Sequence, residues 1–240
     1  MKILSIGNSF SEDAHRYLHQ IAKMDQFNIK TVNLCIGGCS LATHYKKINN
    51  DAKEYAFTFN GENTAIFVTL KEAVQSDDWD FITFQQASHQ SFSYDYYQPY
   101  LSRISEYVSY HSPKSKQLIH QTWAYEQGSE KLLNLGYKDH KNMFHDIKTA
   151  YKTARDDINA YGIIPAGQCM QNLLSNGIKK VHRDGFHADL GVGRFAIALT
   201  WYIFLTGNTP SNLYINDSDQ EISDIEIEIA KNSAIQAVKC

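Results

Sequence analysis

Met1-Lys-Ile-Leu-Ser-Ile-Gly-Asn-Ser-Phe-Ser11 opens the chain, and its reading decides the fold. Lys2 to Ile6 reads as a short buried strand. Gly7-Asn8-Ser9 breaks it, and a helical pattern follows directly. A strand that turns sharply into a helix leaves a small polar residue at the carboxyl edge of a sheet, where open α/β folds hold ligands. The first helical turn adds unpaired N–H groups and the positive end of the helix dipole. Ser9 is therefore placed like a nucleophile. Serine is also a favoured N-cap, and as a cap Ser9 would carry no chemistry. The rest of the chain has to separate the two readings.

Downstream, strands and helices alternate. Phe10 to Met24 spaces Leu18, Ile21 and Ala22 as a helix, and Phe27 to Leu34 reads as a second strand ended by the turn Ile36-Gly37-Gly38-Cys39-Ser40. Apolar runs flank Asn60-Gly61, a strong hairpin signal, so residues 54–68 are read as a hairpin insertion at the sheet edge. Leu70 to Gln75 is a short helix, and Asp80 to Phe84 a third buried strand that runs into Gln85-Gln86-Ala87-Ser88-His89. A helix over 94–111, a strand over Gln117 to Trp123, a polar loop and a long helix over 139–160 follow. Gly162 to Pro165 is a fifth short strand, with a helix over 167–175 behind it. The loop His182-Arg-Asp-Gly-Phe-His187 leads to an apolar helix, Leu190 to Leu205, and the last helix spans 219–238. Such alternation predicts one α/β domain over residues 1–240, with a parallel sheet covered on both faces and right-handed crossovers.

Bulk properties exclude several function classes. The 240 residues are 43% hydrophobic and 20% charged, with a formal net charge of −3, so no basic field suggests nucleic acid or a membrane surface. No apolar run reaches the ~18 residues of a transmembrane helix, and the first strand begins at residue 2 without a signal-peptide pattern. A cytoplasmic protein is expected, unless a leader has been removed. Cys35 and Cys39 stand four apart with no matching second pair, so with Cys169 and Cys240 they are read as spectator thiols rather than metal ligands.

Four loops leave the carboxyl ends of strands or lie beside them, carrying Ser9, Gly37-Gly38, Gln85-Gln86 and Asp184-Gly-Phe-His187. In a parallel sheet they share one edge and can converge. Acyl transfer from an ester needs a nucleophile, a base, an orienter for the base and donors for the oxyanion. Asp184 and His187, three apart with a glycine between, let a carboxylate hold one ring nitrogen while the other faces Ser9. Gly38 lets a backbone N–H approach a substrate oxygen, and a Gln side chain past the third strand is a third possible donor.

These same residues carry a resemblance. Gly7-Asn8-Ser9-Phe10-Ser11 looks like the first block of the SGNH-hydrolase superfamily, the GDSL-like esterases and lipases, in the form of a little-characterised bacterial branch. Asn33-Leu-Cys-Ile-Gly-Gly38 is similar to the second block, and Asp184-Gly-Phe-His187 matches the last. The resemblance implies that Ser9 is the nucleophile, that His187 and Asp184 are base and acid, and that the N–H groups of Ser9 and Gly38 hold the oxyanion. In the third block the family's Gly-x-Asn-Asp is replaced by Phe84-Gln85-Gln86-Ala87-Ser88, similar to a variant of carbohydrate O-acetylesterases. Either Gln85 or Gln86 would then be the side-chain donor.

The resulting expectation is a three-layer α/β/α fold with a flavodoxin-like parallel sheet in the order 2-1-3-4-5. Its activity would be a serine esterase that removes a short acyl group, acetyl above all, from a carbohydrate or similar polar alcohol. No metal or cofactor is called for, and the partner is a small-molecule or oligosaccharide ester. His44, His89 and Trp123, just past strand ends, are candidate cleft walls, although each can equally be packing. Rival readings are a lipid or thioester hydrolase of the same superfamily, a catalytically silent acyl-sugar binding module, and a flavin or nucleotide binder. The last lacks a Gly-x-Gly-x-x-Gly cradle in its first turn.

Overall fold

The computed structural model describes residues 1–211, 213–214 and 217–239; Cys240 lies outside them. Its strands are β1 (Lys2–Gly7), β2 (Lys30–Cys35), β3 (Tyr55–Phe59), β4 (Glu62–Val68), β5 (Phe81–Phe84), β6 (Lys116–His120) and β7 (Gly162–Ile164). They form one sheet in the order β4-β3-β2-β1-β5-β6-β7. The five strands β2-β1-β5-β6-β7 are parallel and reproduce the order read from the sequence. The hairpin is no separate flap: β3 pairs antiparallel with β2, from Val32 opposite Phe59 to Cys35 opposite Ala56, and extends the sheet.

Helices cover both faces. Against α9 (Val192–Thr206) pack α1 (Ser9–His15), α2 (Leu18–Met24), α8 (Ala166–Ser175) and α10 (Asp224–Lys239). α3 (Leu41–Asn49) and α4 (Leu70–Val74) pack on α5 (Tyr100–His111), while α7 (His140–Asp157) lies over β6 and β7. The short α6 (Glu130–Asn134) interrupts what reads as a loop. α9 is apolar on nearly every side and buried from Phe195 to Ile203, as a central helix must be. From β1 the chain crosses to β2 on one side, and the later strands build outward on the other. The order therefore reverses at β1, and the crevice beyond its carboxyl end is where such sheets bind ligands.

Three departures from the sequence reading have physical causes. The helix expected over 10–24 is two, broken at Arg16 and Tyr17. The Asn60-Gly61 turn, with φ of 51° and 85°, docks there, so closely that a Cβ on Gly61 would lie 2.6 Å from the Arg16 carbonyl oxygen. Ser40 caps α3, a helix absent from the sequence reading, by accepting the Thr43 N–H. The segment read as one helix over 94–111 holds a single 3-10 turn, Tyr94–Tyr96, before α5 begins.

His15, His44 and His120 are fully buried inside this frame. Burial pushes each imidazole down to about 3. Below the ordinary imidazole value of about 6.5 the unfolded chain takes up protons that the folded chain refuses. Stability is therefore full above that value and falls as pH drops toward 3, by about 1.4 kcal/mol per pH unit for each group. Urea unfolding at pH values from about 7 to about 4.5 should show the midpoint falling steadily; a constant midpoint would contradict neutral burial.

Candidate active site

β1 ends at Gly7, and the turn there leaves no space for a side chain. A Cβ on Gly7 would stand 2.3 Å from the Ser11 hydroxyl oxygen and 3.0 Å from Gln85 Oε1. Asn8 follows in an extended conformation and is the N-cap of α1; its Oδ1 accepts the Phe10 N–H at 3.0 Å. The cap is thus Asn8, and Ser9 occupies the first helical position, half-buried and free to do something else. Its N–H has no intrahelical acceptor at that position.

Asn8 also reaches two neighbouring loops. Its Nδ2 donates to the Cys39 carbonyl at 3.1 Å, and its Oδ1 accepts from Gln85 Nε2 at 2.6 Å. The first bond draws in the turn after β2, where Gly38 has φ +63° and is exposed. The Ile36–Cys39 backbone bond closes that turn at 3.1 Å, and no hydrogen bond engages the Gly38 N–H among the described residues.

Ser9 Oγ lies 2.8 Å from His187 Nε2, although the two residues are 178 positions apart. His187 Nδ1 lies 2.7 Å from Asp184 Oδ2, and Asp184 Oδ1 accepts the His187 backbone N–H at 2.9 Å. Partial burial pushes the Asp184 carboxyl up, but its bonds to the His187 ring and backbone outweigh this and hold it down, at about 2. Asp184 is therefore ionised wherever the fold persists, so Nδ1 keeps the proton and Nε2 presents its lone pair to Ser9. Gly185, with φ +88°, supplies the bend between Asp184 and His187, and its carbonyl accepts the Glu126 N–H at 2.8 Å.

The other expected site residues separate clearly. Gln86 is turned into the interior: Oε1 accepts from the Leu41 and Ala87 N–H groups, and Nε2 donates one hydrogen to the Tyr96 carbonyl. Those bonds brace α3 and the loop after β5. Gln85 accepts from His120 Nδ1 at 3.0 Å and gives one amide hydrogen to Asn8, next to Ser9. His44 has no exposed surface; it stacks on Tyr55 and bonds to its hydroxyl at 3.0 Å, so it lines no cleft. Trp123 is equally buried. It stacks on Phe10 at 4.2 Å and donates its indole N–H to the Phe186 carbonyl at 2.7 Å, tying the helix that carries Ser9 to the loop that carries His187. His89 alone of the three is exposed. Sequence reasoning missed Asn8 as the hub, although an Asn directly before a helix is a recognisable cap signal. It also missed Phe186, whose ring lies 3.8 Å from the His187 imidazole.

With this geometry in view, comparisons with known proteins are informative. Residues 2–237 match the model of a domain of unknown function, DUF4886. The chain belongs to the DUF4886 family. It is similar to the crystal structure of a DUF4886 family protein from Bacteroides uniformis ATCC 8492, with 34% identity and a TM-score of 0.91 over 100% of this chain and 95% of that one. A candidate SGNH hydrolase from Slackia heliotrinireducens gives a TM-score of 0.60 at 22% identity, over 83% of this chain and 95% of the other. A member of the lipolytic G-D-S-L family from Veillonella parvula DSM 2008 gives 0.52 at 15% identity, over 86% and 97%. No curated protein matches the chain. The DUF4886 chain therefore has the SGNH-hydrolase fold, as its sequence blocks implied.

Asp184→Asn tests the relay directly. An amide N–H facing Nδ1 would move the ring proton to Nε2 and leave Ser9 without a base, so kcat on an ester should fall by roughly 10³–10⁴-fold with KM little changed. An Asp184→Asn protein that keeps more than about a tenth of the wild-type kcat would count against this assignment.

Proposed function

We propose that the DUF4886 chain is a serine ester hydrolase working through an acyl-enzyme. The observation that carries this reading is the hydrogen-bonded series Ser9–His187–Asp184, at 2.8 and 2.7 Å, beyond the carboxyl end of β1 where the strand order reverses. Ser9 Oγ attacks the acyl carbonyl and gives its proton to His187 Nε2. The alcohol departs with that proton. Water then attacks the acyl-enzyme as His187 takes one of its protons, and the proton returns to Ser9 as the acid leaves.

The oxyanion formed at each stage is held by the N–H groups of Ser9 and Gly38 and the free amide hydrogen of Gln85. A binding module would need no base set against the nucleophile, so the Ser9–His187 contact favours catalysis over a silent acyl-sugar receptor.

The substrate class we propose is a short acyl ester, acetyl above all, of a carbohydrate or similar polar alcohol. Supporting it is the polar and aromatic surface of the loop after β5, where His89 and Tyr96 are exposed and suit hydroxyl bonding and stacking on a sugar face. Trp123 lends no support, because it is buried.

Turnover of p-nitrophenyl esters and acetylated sugars tests both levels. Ser9→Ala should lower kcat by roughly 10³-fold or more. kcat/KM should fall steeply once the acyl chain passes about four carbons, as it does for an enzyme specific for short acyl groups, where extra methylenes overpack the site. A Ser9→Ala protein that keeps more than about a tenth of the activity would sink the esterase assignment. Equal rates on acetyl and octanoyl esters with no acetate released from any sugar would leave an esterase but redirect it to lipids or thioesters.

A further inference from the structure

The Ser9–His187 bond joins a helix near one end of the chain to a loop near the other, and a single hydrogen bond cannot hold such segments in register. One side chain touches the supports of both. Asp13 lies four residues after Ser9, on the same side of α1, and has no exposed surface. Its Oδ1 accepts from Arg183 Nη1 at 2.9 Å and from Arg194 Nε at 2.8 Å. Its Oδ2 accepts from Arg183 Nη1 and from the Ala188 backbone N–H, each at 3.1 Å. Every neighbour is a donor, so a protonated Asp13 would have nowhere to place its hydrogen, and the group is a buried carboxylate.

Two of those donors, Arg183 and Ala188, bracket the segment that carries Asp184 and His187. Arg183 Nη1 also donates to the Ala188 carbonyl, and its backbone N–H donates to the His187 carbonyl at 3.1 Å. His182 and Ala188 form an antiparallel bridge that closes the neck of the loop. The third donor, Arg194, comes from α9 and is held from outside by Asp219, which also binds Arg16 at the end of α1.

We propose that Asp13 is a positioning residue of the hydrolytic site, fixing the base loop onto the helix that carries the nucleophile. This rests on the esterase reading above. Asp13 touches no reacting atom; it sets where His187 stands relative to Ser9. Displacement of a reacting group by about 1 Å can lower a rate by about 10²-fold, and a buried carboxylate gripping both segments restricts that displacement.

The test uses Asp13→Asn, which keeps shape and loses the charge, and Arg183→Gln, which removes the Arg183 bonds to Asp13 and to the Ala188 carbonyl and leaves those of Arg194 and the Ala188 N–H. Each is made alone and in a His187→Ala background, and p-nitrophenyl acetate turnover is measured after circular dichroism confirms folding. Each single variant should lose roughly 10–100-fold in kcat with KM changed less than about twofold. Neither should lower the residual rate of His187→Ala further, because a residue acting through His187 has nothing left to position. An unchanged kcat, or the same fractional loss with and without His187, would overturn the proposal, the second because it marks general damage. Where Asp13→Asn does not fold, Arg183→Gln carries the same comparison. Failure of the esterase reading shows separately, as wild-type turnover in His187→Ala alone, and that would overturn the positioning role with it.

Discussion

The structure depends on one side-chain amide at the end of the first strand. Asn8 caps α1, holds the Cys39 carbonyl of the second loop and accepts from Gln85 of the third. A parallel sheet brings loop ends to one edge but leaves their mutual spacing undetermined. Asn8 sets it, because donor and acceptor are used in different directions within a buried site. Loss of such a group strands buried partners, and each is worth about 1–3 kcal/mol when left without a bond. The capping role also releases Ser9 from structural duty. A serine that had to cap its own helix would have its oxygen turned toward backbone N–H groups instead of His187.

Around that hub the site is braced by polar and aromatic contacts of different kinds. Trp123 lies against Phe10 and holds the Phe186 carbonyl, while Phe186 covers one side of the His187 ring. Deeper in, Thr83 donates to Ser5, and Ser5 bonds to His15 at 2.7 Å; His120 bonds to Gln85. The buried imidazoles are neutral, so they act as dipolar struts and carry no charge under the nucleophile turn. Asp184, by contrast, faces solvent and stays ionised. The carboxylate beside His187 thus lies at the rim, where water can share its charge, and in the interior Asp13 meets two guanidinium groups.

The sheet was legible because strands buried on both faces appear as short apolar runs, as in Ile3-Leu4-Ser5-Ile6 and Phe81-Ile82-Thr83-Phe84, separated by helical spacing. The Ser9, Asp184 and His187 constellation was legible from loop position and residue chemistry, and the structure brings those three together. What was not legible depended on distant partners. The helix break at Arg16 is imposed by Gly61 from the hairpin turn. A tryptophan past a strand end reads equally as cleft wall or packing, and only the covering Phe10 ring decides it. His44 reads as a polar rim residue because its partner, Tyr55, belongs to a strand that local pattern places at the edge. No local pattern singles out Asp13, since its arginine partners lie 170 and 181 positions away. Of two adjacent glutamines, only their partners tell them apart: Gln85 bonds to Asn8 beside Ser9, and Gln86 to Leu41, Ala87 and Tyr96.

The central claim is that Ser9 carries the acyl group between attack and hydrolysis. Rapid acid quench of the enzyme with an excess of p-nitrophenyl acetate, followed by peptide mass spectrometry, tests it most directly. The account predicts a burst of p-nitrophenol close to one per active site if deacylation is the slower step, and in any case an acetyl group on the peptide bearing Ser9, at the Ser9 hydroxyl. Acetate released through sustained turnover with the label on another residue, and none on Ser9, would contradict it.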